Sequence, residues 1–97
     1  MVVAMFMRWD GVTAEQYVAA RELVNWEGEP ASGGLFHVAA VDEHGLHVTD
    51  TWESAEELQA FVATRLIPGT TQLGIPGEAQ VEIVPVHDLF TPAYRPA

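Results

Sequence analysis

An α+β chain with the element order βαββαβ is predicted by three observations: four runs rich in apolar, β-branched or aromatic residues, two helix starts marked by capping-box residues, and one short turn between the second and third runs. The first run is "VVAMFMRW", Val2 to Trp9, and the Asp10-Gly11 pair after it marks a turn, so it is read as strand β1. Thr13 and Gln16 stand three apart as a capping box, with Val12 and Tyr17 at the two positions of a hydrophobic staple. Helix α1 therefore begins at Ala14 and runs to about Val24, with Tyr17, Ala20, Leu23 and Val24 on its inner face.

"NWEGEPASGG" is a loop by its Asn, Gly, Pro and Ser content. The runs "LFHVAAVD" (β2) and "LHVTDTWE" (β3) flank "EHG", where Gly45 supplies the left-handed backbone of a short hairpin. Ser54 and Glu57 form a second capping-box pair, and Leu58, Phe61, Val62 and Leu66 recur at helical spacing to define α2. Pro68 has no amide hydrogen to give, so α2 either stops there or kinks and resumes for one turn before Gly74. "QVEIVPVHDLF" is β4, an edge strand because Pro85 cannot donate to a ladder. Both crossovers in this order place a helix on the same face of a four-stranded antiparallel sheet, the ferredoxin-like arrangement. Residues 1–97 are expected to form one such domain, with 90–97 as a C-terminal tail, since 97 residues support a single core.

Composition excludes several functions. Fourteen acidic side chains against four basic ones leave a formal charge of −10, which repels phosphate backbones and anionic lipid headgroups. Nucleic acid and membrane surfaces are therefore not expected partners. Without cysteine there are no disulfides, thiolate metal sites or cysteine nucleophiles. The leading apolar run "VVAMFM" is too short for a membrane span and lacks the flanks of a secretory signal, so a cytoplasmic protein is expected.

The strands carry a second message. In β1, Val3, Met5, Met7 and Trp9 point one way while Val2, Ala4 and Phe6 point the other; in β2, Phe36, Val38 and Ala40 oppose Leu35, Ala39 and Val41. Both faces are apolar, but a sheet of this type covers only one with its own helices. A homodimer packed sheet against sheet is the expected solution.

The element order, the strand ending "DTWES" and the helix continuing "AEELQAFVATRLIP" resemble the dimeric α/β-barrel superfamily, and within it the antibiotic-biosynthesis-monooxygenase type, including small actinobacterial-type proteins of unassigned function. The resemblance implies a homodimer with a ligand cavity between sheet and helices in each subunit, binding a small apolar or aromatic molecule. It also implies chemistry without a cofactor, either oxygenation or a proton transfer such as cyclisation or isomerisation. Haem-degrading relatives use a His on α2 as the iron ligand, about nine residues after the Trp. This chain has Phe61 there, and a phenyl ring cannot ligate iron.

Candidate chemistry centres on β2 and β3. Asp50 lies within an apolar strand, where a carboxylate needs a partner, and His37 is the candidate. A two-residue hairpin turn sets them on one face as a general-base pair, whereas a three-residue turn with Gly45 as a bulge separates them. Both registers are open, and with them the alternative of a non-catalytic binding or assembly module in which His37, Asp50 and Trp52 are structural. Trp52 either walls a ligand site or plugs the core. Tyr17 can reach the cavity from α1, and the resemblance places His87 at its rim or at the dimer seam. His44 and His47 are expected to face solvent, and no two histidines have metal-site spacing. Of the four cations, Arg8, Arg21, Arg65 and Arg95, an inward-facing one would serve as an anion clamp; Arg65 is expected to pack its stem on α2 and hold its head in water. No nucleotide-binding glycine pattern occurs.

Overall fold

The computed structural model describes residues 1–93, so Arg95 and the last part of the 90–97 tail lie outside the described residues. The strands are β1 (Val3–Asp10), β2 (Gly34–Asp42), β3 (Gly45–Trp52) and β4 (Gln80–Pro85), in the antiparallel sheet order β2-β3-β1-β4. That is the ferredoxin-like topology, with β4 on an edge as Pro85 requires. Helix α1 spans Ala14–Val24, and its capping box forms in full: Thr13 Oγ1 accepts from the Gln16 amide and the Gln16 side chain accepts from the Thr13 amide.

Alternation along the strands decides which face is covered. Val3 and Met5 of β1, with Leu46, Val48 and Trp52 of β3, are buried with Val12 and Leu58 in one cluster, so both helices pack on this face. Residues of the opposite parity face outward, and Phe6, Val38 and Val84 stay 45%, 60% and 40% exposed there. The apolar character of the second face is thus real, and among the described residues no element covers it. On α1, Ala20 is buried and Val24 partly so, whereas Leu23, expected inside, is exposed.

The second helical stretch does not end at Pro68. Helix α2 (Ala55–Phe61) passes into a π-helical segment (Val62–Leu66) and then into α3 (Ile67–Gln72), with Pro68 in the first turn of α3. Widening the ladder by one residue, as in the Ile67 amide to Val62 carbonyl bond, relieves the clash that Pro68 would cause in a regular helix. The following Gly69 is where α3 touches α1: a Cβ there would sit 2.5 Å from Val24 Cγ2. Ser54 caps α2 by accepting from the Glu57 amide, but the Glu57 carboxylate takes the Ser54 and Ser32 hydroxyls, joining α2 to the loop before β2.

The hairpin has a two-residue turn, Glu43-His44, with Asp42 opposite Gly45. One Asp42 carboxylate oxygen accepts from the amides of His44 and Gly45, and the other lies 3.0 Å from His47 Nε2. The two amides and the adjacent His47 hold this carboxyl below the usual carboxylate range. With that turn, His37 stands directly opposite Asp50.

Candidate functional site

The hairpin register builds the site from the sheet side. On the helix-facing surface, the cross-strand pairs are Val41–Leu46, Ala39–Val48 and His37–Asp50. A bulge between Gly34 and Phe36 then ends the regular pairing. Such an irregularity beside a polar pair turns the strand and its side chains toward the site.

Four side chains form one hydrogen-bonded chain. The indole Nε1–H of Trp52 donates to Asp50 Oδ2 at 3.2 Å, and Asp50 Oδ1 lies 2.7 Å from His37 Nδ1. His37 Nε2 in turn lies 2.7 Å from the Tyr17 hydroxyl. Asp50 is 8% exposed, and both its oxygens are engaged, which is what permits a carboxylate to stand between Met5 and Val48. The His37 ring keeps 34% of its surface open.

Tyr17 reaches this chain from the first turns of α1, with its ring nearly parallel to that of His37, 7° apart. Burial raises its pKa above the ordinary 10.0, an effect opposed by Arg21 and reinforced by the negative charges of Glu27 and Asp50. The phenol therefore keeps its hydrogen throughout the neutral range. Because the folded value is the higher one, the contribution of this group to stability is complete below pH 10 and falls as pH rises through the folded value. An absorbance titration of tyrosinate should show a step above pH 10 that disappears in Tyr17→Phe; a Tyr17 step at or below 10 would contradict the burial argument.

A third aromatic completes the cluster. Trp26 stands edge-on to His37, centroids 5.6 Å apart, and 5.8 Å from Tyr17. It arrives there because Asn25 adopts a left-handed backbone, φ 61°, at the C-terminus of α1 and reverses the chain. Arg65 holds that corner: its Nη2 donates to the Val24 carbonyl at 3.0 Å and contacts that of Asn25 at 3.5 Å, while its guanidinium lies over Phe61. Half-buried, Arg65 packs on Phe61 as expected, and its head also caps the end of α1, where a C-terminal carbonyl favours a cation. Trp26 was not singled out in the sequence. A left-handed helix cap followed by a large apolar residue is the signal that points to it.

Tyr17, Trp26, His37 and Asp50 stand at the wall of a cavity of about 770 Å³ between sheet and helices. Met5, Met7 and Val48 floor it from the sheet, and Leu58, Val62 and Leu66 roof it. Val81 and Ile83 of β4 also line it, which is why these residues on the covered face remain exposed. On the other side of His37 a shallower pocket of about 160 Å³ is lined by Trp52, Phe61 and Leu35. Trp52 thus does two things: its ring is 5% exposed within the core cluster, and one edge reaches this smaller pocket.

No protein-family model matches the sequence, and no curated protein matches it either. Solved structures do. SnoaB, a cofactor-independent oxygenase from Streptomyces nogalater, superposes with a TM-score of 0.67 at 13% identity, over 91% of this chain and 95% of that one. An antibiotic-biosynthesis-monooxygenase-like protein from Deinococcus radiodurans gives 0.62 at 14% identity, over 94% and 97%. This chain has the antibiotic-biosynthesis-monooxygenase fold. A protein of unknown function from Nitrosomonas europaea shares that fold as well, with a TM-score of 0.70 at 17% identity over 96% of each chain.

Within the fold the candidate residues separate. His37, Asp50, Trp52 and Tyr17 converge, whereas His87 is exposed beyond β4 and lines neither pocket. His44 is exposed in the hairpin turn, and His47 pairs with Asp42 on the outer side of the sheet. Arg8 is exposed beside Asp10 and Gln80 on that same side. Among the described residues no group of His, Asp or Glu is arranged to hold a metal ion, and no helix is long and apolar enough to cross a membrane.

Proposed function

We propose that this protein is a homodimeric, cofactor-independent oxygenase acting on a small, largely apolar aromatic molecule held between sheet and helices. The observation that carries the reading is the Tyr17–His37–Asp50–Trp52 chain at the wall of an apolar cavity whose volume falls in the usual range for small-molecule sites, roughly 300–1,000 Å³. Oxygenation by a relative of the same fold supports the choice of reaction.

In this mechanism Asp50 orients the imidazole, and His37 Nε2 is the base. A substrate hydroxyl gives its proton to Tyr17 Oη as the phenol hydrogen passes to Nε2. The resulting anion, delocalised onto a ring carbon, reduces dioxygen and forms a C–O bond to it, and the proton held on His37 returns to the peroxide to give a hydroperoxide. Loss of water turns the substrate CH2 into C=O, so one oxygen atom stays in the product and the other leaves as water. The apolar lining supplies stacking surface and keeps bulk water from the carbanion.

The test is oxygen uptake with anthrone, a tricyclic ketone whose enol tautomer presents the hydroxyl that is deprotonated. One dioxygen should disappear per anthraquinone formed, at a rate above spontaneous oxidation. Uptake indistinguishable from that of heat-denatured protein would sink the proposal.

The dimer is supported by the exposed outer face carrying Phe6, Val38 and Val84. An uncovered face of this kind favours association, and a charge at its centre opposes it. Wild-type protein at micromolar concentration should sediment at twice the chain mass and Phe6→Lys at the monomer mass. A monomeric wild type would remove the dimer from the proposal.

A further inference from the structure

The four-residue chain has a direction, and it follows from what each group can donate. A carboxylate accepts only, so both neighbours of Asp50 give hydrogens to it: Trp52 through Nε1 and His37 through Nδ1. In the neutral ring, with its hydrogen on Nδ1, His37 offers a lone pair at Nε2, and the hydrogen in the 2.7 Å contact belongs to Tyr17. Tyr17 therefore spends its one hydrogen on His37. What its oxygen keeps for a molecule in the cavity is acceptor capacity alone.

We infer that Tyr17 is the specificity-determining residue of the cavity, selecting aromatic ligands that donate a hydrogen bond, hydroxylated rings, over ethers and quinones, and that Trp52 supports this preference by holding Asp50 against His37. The inference rests on the cavity being a ligand site and makes the hydroxyl that meets Tyr17 the basis of selection.

Asparagine at position 50 exposes the role of Trp52. An amide must turn its oxygen to one neighbour and its NH2 to the other. Indole can only donate, whereas imidazole can change tautomer. The amide oxygen therefore goes to Trp52 and the NH2 to His37 Nδ1, which becomes an acceptor while the ring hydrogen moves to Nε2. His37 then donates to Tyr17, and the phenol hydrogen is released toward the cavity. Trp52 is buried, so its N–H cannot turn to water to relieve the constraint. If the indole N–H is also removed, the amide is free to rotate, and His37 is no longer held with its hydrogen on Nε2.

The probes are 2-naphthol, its methyl ether 2-methoxynaphthalene, and 1,4-naphthoquinone, with dissociation constants from fluorescence titration and the His37 ring nitrogens read by 15N NMR. Wild type should bind naphthol about three- to ten-fold more tightly than the ether, the range of one net hydrogen bond, with the hydrogen on Nδ1. Asp50→Asn should move it to Nε2, abolish the naphthol advantage and improve quinone binding. The double variant Trp52→Phe/Asp50→Asn should show hydrogen on Nδ1 in part of the population and regain part of the naphthol preference. Tyr17→Phe should bind naphthol and ether alike. Equal affinity for naphthol and ether in wild type overturns the inference and leaves the ligand cavity standing, whereas binding of none of the three probes overturns both. If the double variant does not fold, an Asp50→Asn protein that keeps its hydrogen on Nδ1 is sufficient to overturn the role of Trp52.

Discussion

Replacing His37 with Gln is expected to lower the turnover of anthrone by about 10²- to 10⁴-fold, the range that a positioned general base supplies. Glutamine spans a similar length and can still meet Asp50 and Tyr17 through its amide, but it has no nitrogen lone pair to take a proton. The loss should appear in kcat, with KM changing only a few-fold, because the cavity surface is mostly that of the sheet and helix residues around Met5, Met7, Val48 and Leu58. The His37 ring is about one-third open to solvent, so thermal stability should fall little. A residue that merely fills space would show the reverse pattern. Unchanged kcat beside a lowered melting temperature would remove His37 from the chemistry.

Gly45→Ala is the substitution expected to damage the fold most. The Gly45 backbone has φ +142°, which side chains rarely tolerate, and an added Cβ would lie 2.4 Å from the Trp9 carbonyl oxygen and 2.7 Å from the Gly11 amide nitrogen. Both obstacles are backbone of the neighbouring strand and turn, so no side chain can swing aside. The hairpin would have to draw away from β1, giving up the Trp9–Leu46 and Asp10–Gly45 end of the ladder and the Gly11 amide to His44 carbonyl bond. A cost of about 3 kcal/mol or more is expected, a large share of the 5–15 kcal/mol that a small domain has. Chemical denaturation should show it directly. A shift under 1 kcal/mol would mean that the close approach relaxes freely.

How far the molecule was legible in its sequence depended on whether the signal was local. The capping pair Thr13 and Gln16 identified the start of α1 to the residue, since both partners lie within one turn of chain. Pro68 marks an irregularity in the helix, as its missing amide requires, but the form it takes, a π-helical segment before the proline and a short helix after it, is not legible in the sequence. Leu23 fits a helical stripe on paper. It stays exposed at the rim of the contact, since Gly69 of α3 approaches Val24 more closely than Leu23.

The site divides the same way. That Asp50 needed a partner and that His37 was a candidate followed from a carboxylate within an apolar strand, and Tyr17 followed from its place one turn into α1. Whether they met did not follow, since one residue in the hairpin turn moves His37 to the other face of the sheet. Trp26 was invisible because its position depends on Asn25 reversing the chain and on Arg65, forty residues away, anchoring the carbonyls beside it. By itself, then, the sequence determined the element order, the helix starts, the edge position of β4 and the apolar character of both sheet faces, all properties of segments a few residues long. The tertiary structure alone decided the two-residue turn, held by the Asp42 carboxylate and by β1 pressed against Gly45, and hence the pairing of His37 with Asp50, because register is set by contacts between strands and not by either strand's own preference.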